Sequence, residues 1–271
     1  MSKGWEASLS MKKTALITGA SSGIGYELAK QFARDRTDLV LVARDEPRLQ
    51  QIAAELRTSS GVFVKVIAAD LSRALTPADI YTETTRFHIP VDYLVNNAGF
   101  GLVGAFSGTD LQAELDMLQV NIVSLVHLTK LYLRDMRSRG SGGILNVAST
   151  AAFQPGPFMA LYYASKAFVL SFTEALAEEL RGTGLHATAL CPGPTATDFQ
   201  RRAKMENVRL VKSKAIGVMT AAKVAEIGYG AFLDGKAIVI PGFINKVGAQ
   251  SVRFSPRALV RRITRKLQEE G

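Results

Sequence analysis

Two groups of residues in this 271-residue chain could do chemistry together. The first is Tyr162-Tyr163-Ala164-Ser165-Lys166. Tyr162 and Lys166 are four apart, so on a helix they share a face one turn apart. A phenol with its ordinary pKa near ~10 exchanges protons poorly at neutral pH, and a nearby ammonium favours the phenolate and brings that pKa down. Tyr162 is therefore a candidate general acid or base. Tyr163, three residues before Lys166, also lies near it, and spacing alone leaves both tyrosines open. Ser149, placed after a strand-like run, can donate to and accept from a substrate oxygen. The second group is Thr18-Gly19-Ala20-Ser21-Ser22-Gly23-Ile24-Gly25, set between an apolar run and a helical pattern. Glycines there let the backbone turn sharply and a pyrophosphate approach, while free amides at the helix start favour the anion. No Gly-Lys-Ser/Thr follows, which argues against a triphosphate-hydrolysing loop. The same stretch spells Gly-x-Ser-x-Gly, the nucleophile elbow of some hydrolases. It follows the first strand, however, and His88, His127 and His186 offer no triad context.

The elements that must position these groups alternate along the chain. Strand-like runs are expected at Thr14–Thr18, Asp38–Ala43, Val62–Ile67, Tyr93–Asn96, Gly143–Val147, His186–Leu190 and Ala237–Ile240. Several are almost wholly apolar, as a strand covered on both faces should be. Between them, apolar residues recur at helical spacing: Ile24, Leu28 and Phe32; Leu111 and Leu115, with Gln119 in register; Phe168, Phe172 and Leu176. Such alternation predicts an α/β, doubly wound, Rossmann-like fold: a mostly parallel sheet with helices on both faces. The expected layout is an untethered extension over 1–10, a catalytic domain over 11–245, and a basic, helical tail over 246–271. Met11, followed by Lys12 and Lys13, reads as an alternative start.

The second strand ends in Arg44-Asp45, about twenty residues past the last glycine. A guanidinium there would pair with the 2′-phosphate of NADP(H), while Asp45 keeps NAD(H) open. Asp70-Leu71, after the third strand, suits the adenine edge of a nucleotide, although capping a helix is an equally ordinary task for Asp70.

Taken together, Thr18-Gly19-x3-Gly23-x-Gly25, Asn96-Asn97-Ala98-Gly99, Asn121, Ser149, Tyr162-x3-Lys166 and Pro192-Gly193 resemble, in order and spacing, the short-chain dehydrogenase/reductase family over about residues 12–245. The resemblance implies a seven-stranded Rossmann-like fold and a serine-tyrosine-lysine mechanism with a water relay through an asparagine. Carried onto matching positions, Tyr162 exchanges the proton and Ser149 orients the carbonyl. Lys166 lowers the Tyr162 pKa and binds the nicotinamide ribose, and Asn121 takes the relay. Gly19, Ser21, Ser22, Gly23, Ile24, Gly25, Asn97, Ala98 and Gly99 match cofactor-contacting positions, Pro192, Gly193 and Thr197 match the segment that meets the nicotinamide, and residues 195–220 sit where the family places a substrate lid. The choice of Tyr162 over Tyr163 rests on this pattern. The implied activity is hydride transfer between NADP(H) and a carbonyl or alcohol; the rival is a cofactor-binding sensor or scaffold without turnover.

Composition bounds the rest. Apolar residues at 47% and charged ones at 21% belong to an ordinary globular chain. A single cysteine, Cys191, excludes a disulfide framework and a thiolate zinc site and favours a reducing, cytoplasmic setting; beside Pro192 it is expected to be buried and inert. The net charge of +9 is concentrated late: Arg201, Arg202, Lys204, Arg209, Lys212 and Lys214 face only Glu206, and the stretch from Lys246 to Lys266 has no acid. No aromatic or zinc pattern of a nucleic-acid module accompanies this charge. An acyl or lipid-like substrate with an acidic handle would use it, and a solvated loop is the plain alternative. In the tail, Pro256 opens a helix with Leu259, Val260, Ile263 and Leu267 near one face, opposite Arg257, Arg261, Arg265 and Lys266. That face suits a subunit contact or the chain's own cleft better than an anionic membrane. Family analogy suggests a homo-dimer or homo-tetramer.

Overall fold

A computed structural model describes residues 12–197, 199 and 218–268. Seven parallel strands form one sheet in the order β3-β2-β1-β4-β5-β6-β9. They are β1 (Thr14–Thr18), β2 (Asp38–Ala43), β3 (Val64–Ala68), β4 (Tyr93–Asn96), β5 (Gly142–Val147), β6 (Leu185–Leu190) and β9 (Ile238–Val239). Two short strands, β7 (Thr195–Ala196) and β8 (Met219–Thr220), pair separately. The order reverses between β1 and β4, where a doubly wound sheet opens a crevice at its carboxyl edge.

Alternating side chains explain why the strands read as continuous apolar runs. Ala15 and Ile17 of β1, with Leu39 and Leu41 of β2, join the core on one face, under α1 (Gly23–Arg34), α2 (Glu46–Ser60) and α7 (Ala221–Leu233). Leu16, Val40 and Val42 join the core on the other, under α3 (Thr76–Arg86) and α5 (Leu125–Arg139). Such burial takes about 25 cal/mol of favourable free energy from each Å² of apolar surface removed from water.

One helix faces the other way from its expected register. Leu111 and Leu115 of α4 (Leu111–Leu118) are 68% and 48% exposed, while Glu114 and Met117 are buried. Glu114 accepts a hydrogen bond from the Thr109 hydroxyl at 2.7 Å, which satisfies the buried carboxylate. Gln119 does not continue α4 but opens a π-helical turn, Gln119–Ser124. Phe168 of α6 (Ala160–Glu179) is also 41% exposed, stacked on Phe172, whereas Leu176 reaches the core.

A buried polar ladder ties α5 and α6 to the sheet behind the site. Asn96 of β4 donates to Thr129 at 3.0 Å and to its register partner Asn146 at 2.9 Å. Asn146 in turn donates to Thr173 of α6 at 2.9 Å. Asn146→Ala removes both of its bonds and leaves a small void, so we expect a loss of about 2 kcal/mol. Urea unfolding should show a lower midpoint at unchanged slope; an unchanged midpoint would refute this role.

Candidate active site

The turn after β1 is shaped by two left-handed glycines, Gly19 (φ 65°) and Gly23 (φ 57°). Ser22 caps α1 in an extended conformation without a side-chain bond to the helix, so first-turn amides lack an internal acceptor. The turn is zipped to the end of β4. The Thr18 hydroxyl accepts from the amides of Asn97 and Ala98, both at 3.0 Å, and Asn97 Nδ2 donates to the Thr18 carbonyl at 2.9 Å. A Cβ on Gly25 would lie 2.4 Å from both Asn97 Nδ2 and the Gly19 carbonyl oxygen. Gly25 therefore lets the helix close on the loop.

A cavity of about 980 Å³ runs from this turn to the serine and tyrosine. Every residue singled out from the sequence for cofactor contact or catalysis lines it, except Gly25 and Asn121. Gly25 is buried behind the turn. Asn121, in the π turn, is 1% exposed. Its side chain brackets Phe100, accepting from the backbone N–H at 3.2 Å and donating to the carbonyl at 3.0 Å, and it donates to Ser165 at 3.1 Å. Those groups are fully occupied inside the protein.

Arg44 is exposed at the cavity rim, and Asp45 accepts from the Arg48 amide at 3.0 Å as the N-cap of α2. Asp70 does not cap α3; its carboxylate accepts from the Ser72 amide at 3.0 Å in a local turn. Burial pushes the Asp70 carboxyl up, but bonds from Ser72 and the guanidiniums of Arg44 and Arg73 outweigh it, and the net shift is downward. Leu71 is buried beside it, its carbonyl accepting from Ser124 at 2.7 Å. The free amides at the α1 start, the left-handed turn and the Arg44 guanidinium are chemically suited to a pyrophosphate and a ribose phosphate.

At the other end, Ser149 caps a 3₁₀ turn, Thr150–Phe153, accepting from the Ala151 amide at 3.1 Å. Tyr162 and Lys166 lie one turn apart on α6, and Ser149 stands beside the Tyr162 phenol, where it favours the phenolate. The tyrosines separate here: Tyr163 accepts a hydrogen bond from Gln268 Nε2 and packs against Gly156. Lys166 is 5% exposed; its ammonium donates to the Val147 carbonyl at 2.8 Å and lies 5.9 Å from the centre of the Tyr162 ring. The expected lowering of the Tyr162 pKa is not what the protein's own groups produce. Burial drives that phenol well above its usual range, against a smaller downward pull from Ser149. Burial also brings Lys166 down from 10.5 to about 8. Cys191 is buried and pushed up to about 12 by the same effect, and so is an inert thiol.

The Lys166 shift has a consequence for stability. Between about 8 and 10.5 the unfolded chain holds a proton that the folded lysine has released, so stability rises with pH across that window. Relative to Lys166→Met, the wild type should gain about 2 kcal/mol over it. Urea melts at stepped pH check this, and parallel profiles for the two proteins would contradict it.

The C-terminal segment completes the cavity, a role that the glycine and tyrosine motifs do not announce. Helices α8 (Phe243–Ser251) and α9 (Arg257–Gln268) supply Asn245, Val260, Ile263, Thr264, Leu267 and Gln268 to its wall. A Cβ on Gly193 would lie 2.4 Å from Asn245 Oδ1, so α8 packs directly on the Pro192-Gly193 turn. Of the face expected to be apolar, Val260, Ile263 and Leu267 line the chain's own cleft, but only Val260 is buried, and Ile263 and Leu259 stay 51% and 49% exposed. Thr197 and Phe199 of the expected lid also line the cavity. The basic residues between Arg201 and Lys214, and the extension over 1–10, lie outside the described residues. Among the described residues no His, Cys, Asp and Glu cluster could hold a metal, and no helix is long and apolar enough to cross a membrane.

Comparison with known proteins agrees with this geometry. A family model described as short chain dehydrogenase matches residues 13–207. The chain belongs to the short-chain dehydrogenase family. It is 35% identical to 17-beta-hydroxysteroid dehydrogenase type 3 of Mus musculus over 81% of this chain and 71% of that one. It is 31% identical to the ketoacyl reductase HetN of a Nostoc species, over 79% and 72%. Among solved structures, a short-chain dehydrogenase from Sphingobium yanoikuyae in complex with NADPH superposes with a TM-score of 0.79 at 32% identity, covering 91% of this chain and 94% of that one. The protein is thus an oxidoreductase of this family.

Proposed function

We propose that this dehydrogenase reduces a carbonyl compound with an apolar body, a ketone, aldehyde or acyl-type carbonyl, using NADPH. One observation carries the reading: Ser149, Tyr162 and Lys166 open onto the same cavity as the glycine turn and Arg44. When bound, the cofactor supplies a hydride to the carbonyl carbon. Ser149 and Tyr162 hold the carbonyl oxygen. Tyr162, kept protonated by burial, passes its proton to that oxygen as the alcohol forms, and Lys166 opposes the charge left on the phenol. Lys166 also takes the nicotinamide ribose, Arg44 the 2′-phosphate and Asp70 the adenine edge. With its side chain occupied, Asn121 serves as a positioning residue for Phe100 and Ser165, and a water relay through it would use its main-chain carbonyl.

The NADPH complex of the Sphingobium neighbour supports the cofactor, and the names of the steroid and ketoacyl relatives support an apolar carbonyl substrate. Met159, Phe100 and Leu102 give the cavity an apolar flank beside Tyr162. Arg201, Arg202 and Lys204 would serve an acidic handle on such a substrate. Exposed Leu111, Leu115, Val123 and Phe168 support burial of this side of the molecule in a homo-oligomer, readable by light scattering. NADPH oxidation across ketones, aldehydes and acyl thioesters tests the activity. We expect turnover of at least one class; NADPH binding without turnover of any would favour the sensor reading.

A further inference from the structure

The last turn of α9 brings Gln268 into the cavity wall, where it is 3% exposed. Its Nε2 donates to the Tyr163 hydroxyl. Its Oε1 is buried and has no hydrogen-bond partner among the described residues. An amide oxygen withdrawn from water without a donor is destabilising, and buried polar atoms are nearly always paired. The cost disappears when a bound molecule presents an O–H.

The neighbours narrow what that molecule is. Ile263 and Leu267 of the same helix line the cavity together with Thr264, and Met159 packs in one apolar cluster with Tyr163, the hydrogen-bond partner of Gln268. An ionised carboxylate or phosphate is an acceptor and would face the amide oxygen with like polarity, whereas a hydroxyl can donate to it. Gln268 bonds to Tyr163, not to Tyr162, so the group it meets is a second one, separate from the oxygen held at Ser149.

We infer that Gln268 is a specificity-determining residue whose side-chain oxygen accepts a hydrogen bond from a hydroxyl on an otherwise apolar carbonyl substrate, at a position distinct from the reacting carbonyl. The substrate class is therefore a hydroxylated ketone, aldehyde or acyl compound. This rests on the carbonyl-reductase reading above, and its test is built so that the two can fail separately.

The probes are alkyl aryl ketones of graded chain length, each ending in a methyl, a hydroxyl or a carboxylate. Their affinities for the full-chain, NADPH-loaded protein are measured by calorimetry, and kcat/KM is measured in parallel. At the chain length that reaches Gln268, the hydroxyl member should bind about tenfold more tightly than the methyl member, and the carboxylate should gain nothing. In Gln268→Leu that preference should vanish while the methyl member binds at least as well as before. Gln268→Met, closer in shape, gives the same readout should the leucine variant lose thermal stability. An equal hydroxyl-to-methyl ratio in wild type and variants overturns the inference, as does absence of binding by the whole hydroxyl series. Turnover of the methyl members reports on the reductase reading alone; hydroxyl-selective binding without turnover would sink that reading and keep this one.

Discussion

Tyr162→Phe should reduce NADPH-dependent carbonyl reduction by about a thousandfold while leaving fold and cofactor affinity intact. Phenylalanine keeps the ring that packs against Phe199 at 5.4 Å and Tyr163 at 6.0 Å, so the wall of the cavity survives. What disappears is the phenolic proton donor beside Ser149, and a positioned general acid contributes about 10² to 10⁴ in rate. The loss should fall on kcat, because the hydroxyl matters most as charge develops on the carbonyl oxygen. Single-turnover kinetics with saturating NADPH check this. A variant retaining a tenth of wild-type kcat would mean that another group donates the proton, and Tyr163→Phe then becomes the informative control, since the Tyr163 hydroxyl is held by Gln268.

Arg44→Asp should invert the cofactor preference. Removing a guanidinium from a ribose phosphate forfeits charge-assisted hydrogen bonds worth about 1.5–3 kcal/mol, and placing a carboxylate there adds repulsion against the same phosphate. The aspartate can instead accept from a ribose 2′-hydroxyl, as acids at the end of a second strand do in NAD-binding chains. Arg44 is exposed at the cavity rim and has no core packing to lose, so the fold should be indifferent. The ratio of kcat/KM for NADPH over NADH should fall by about a thousandfold, measured with one carbonyl substrate throughout. An unchanged ratio would remove Arg44 from the cofactor site.

Much of this was legible in the chain. β1, β2 and β4 have the bounds read from their apolar runs, because strands buried on both faces leave an unbroken signal. The glycine turn and the Tyr162–Lys166 spacing were equally local, and the structure brings them to one cavity. Signals that depend on partners elsewhere were not legible. The spacing of Leu111 and Leu115 fixes a helical face but not the direction it points, and a buried Glu114 satisfied by Thr109 reverses the natural guess. Tyr162 and Tyr163 have indistinguishable spacing to Lys166, and only the neighbours of their hydroxyls, Ser149 and Gln268, part them. Proximity to an ammonium argued for a lowered phenol pKa; burial of both groups is the larger effect. The apolar face of α9 was visible, yet its destination depends on a contact spanning 105 residues, beyond the reach of any periodicity.

The central claim is that this cavity carries a hydride from the nicotinamide to a carbonyl carbon. The most direct measurement uses NADPH stereospecifically deuterated at its hydride-bearing carbon, with product analysis by mass spectrometry and proton NMR. Deuterium from one of the two diastereotopic positions should appear at the carbinol carbon, with one alcohol formed for each NADPH consumed, and both signals should vanish together in Tyr162→Phe. Carbonyl compounds returned unlabelled beside intact, tightly bound NADPH would contradict it.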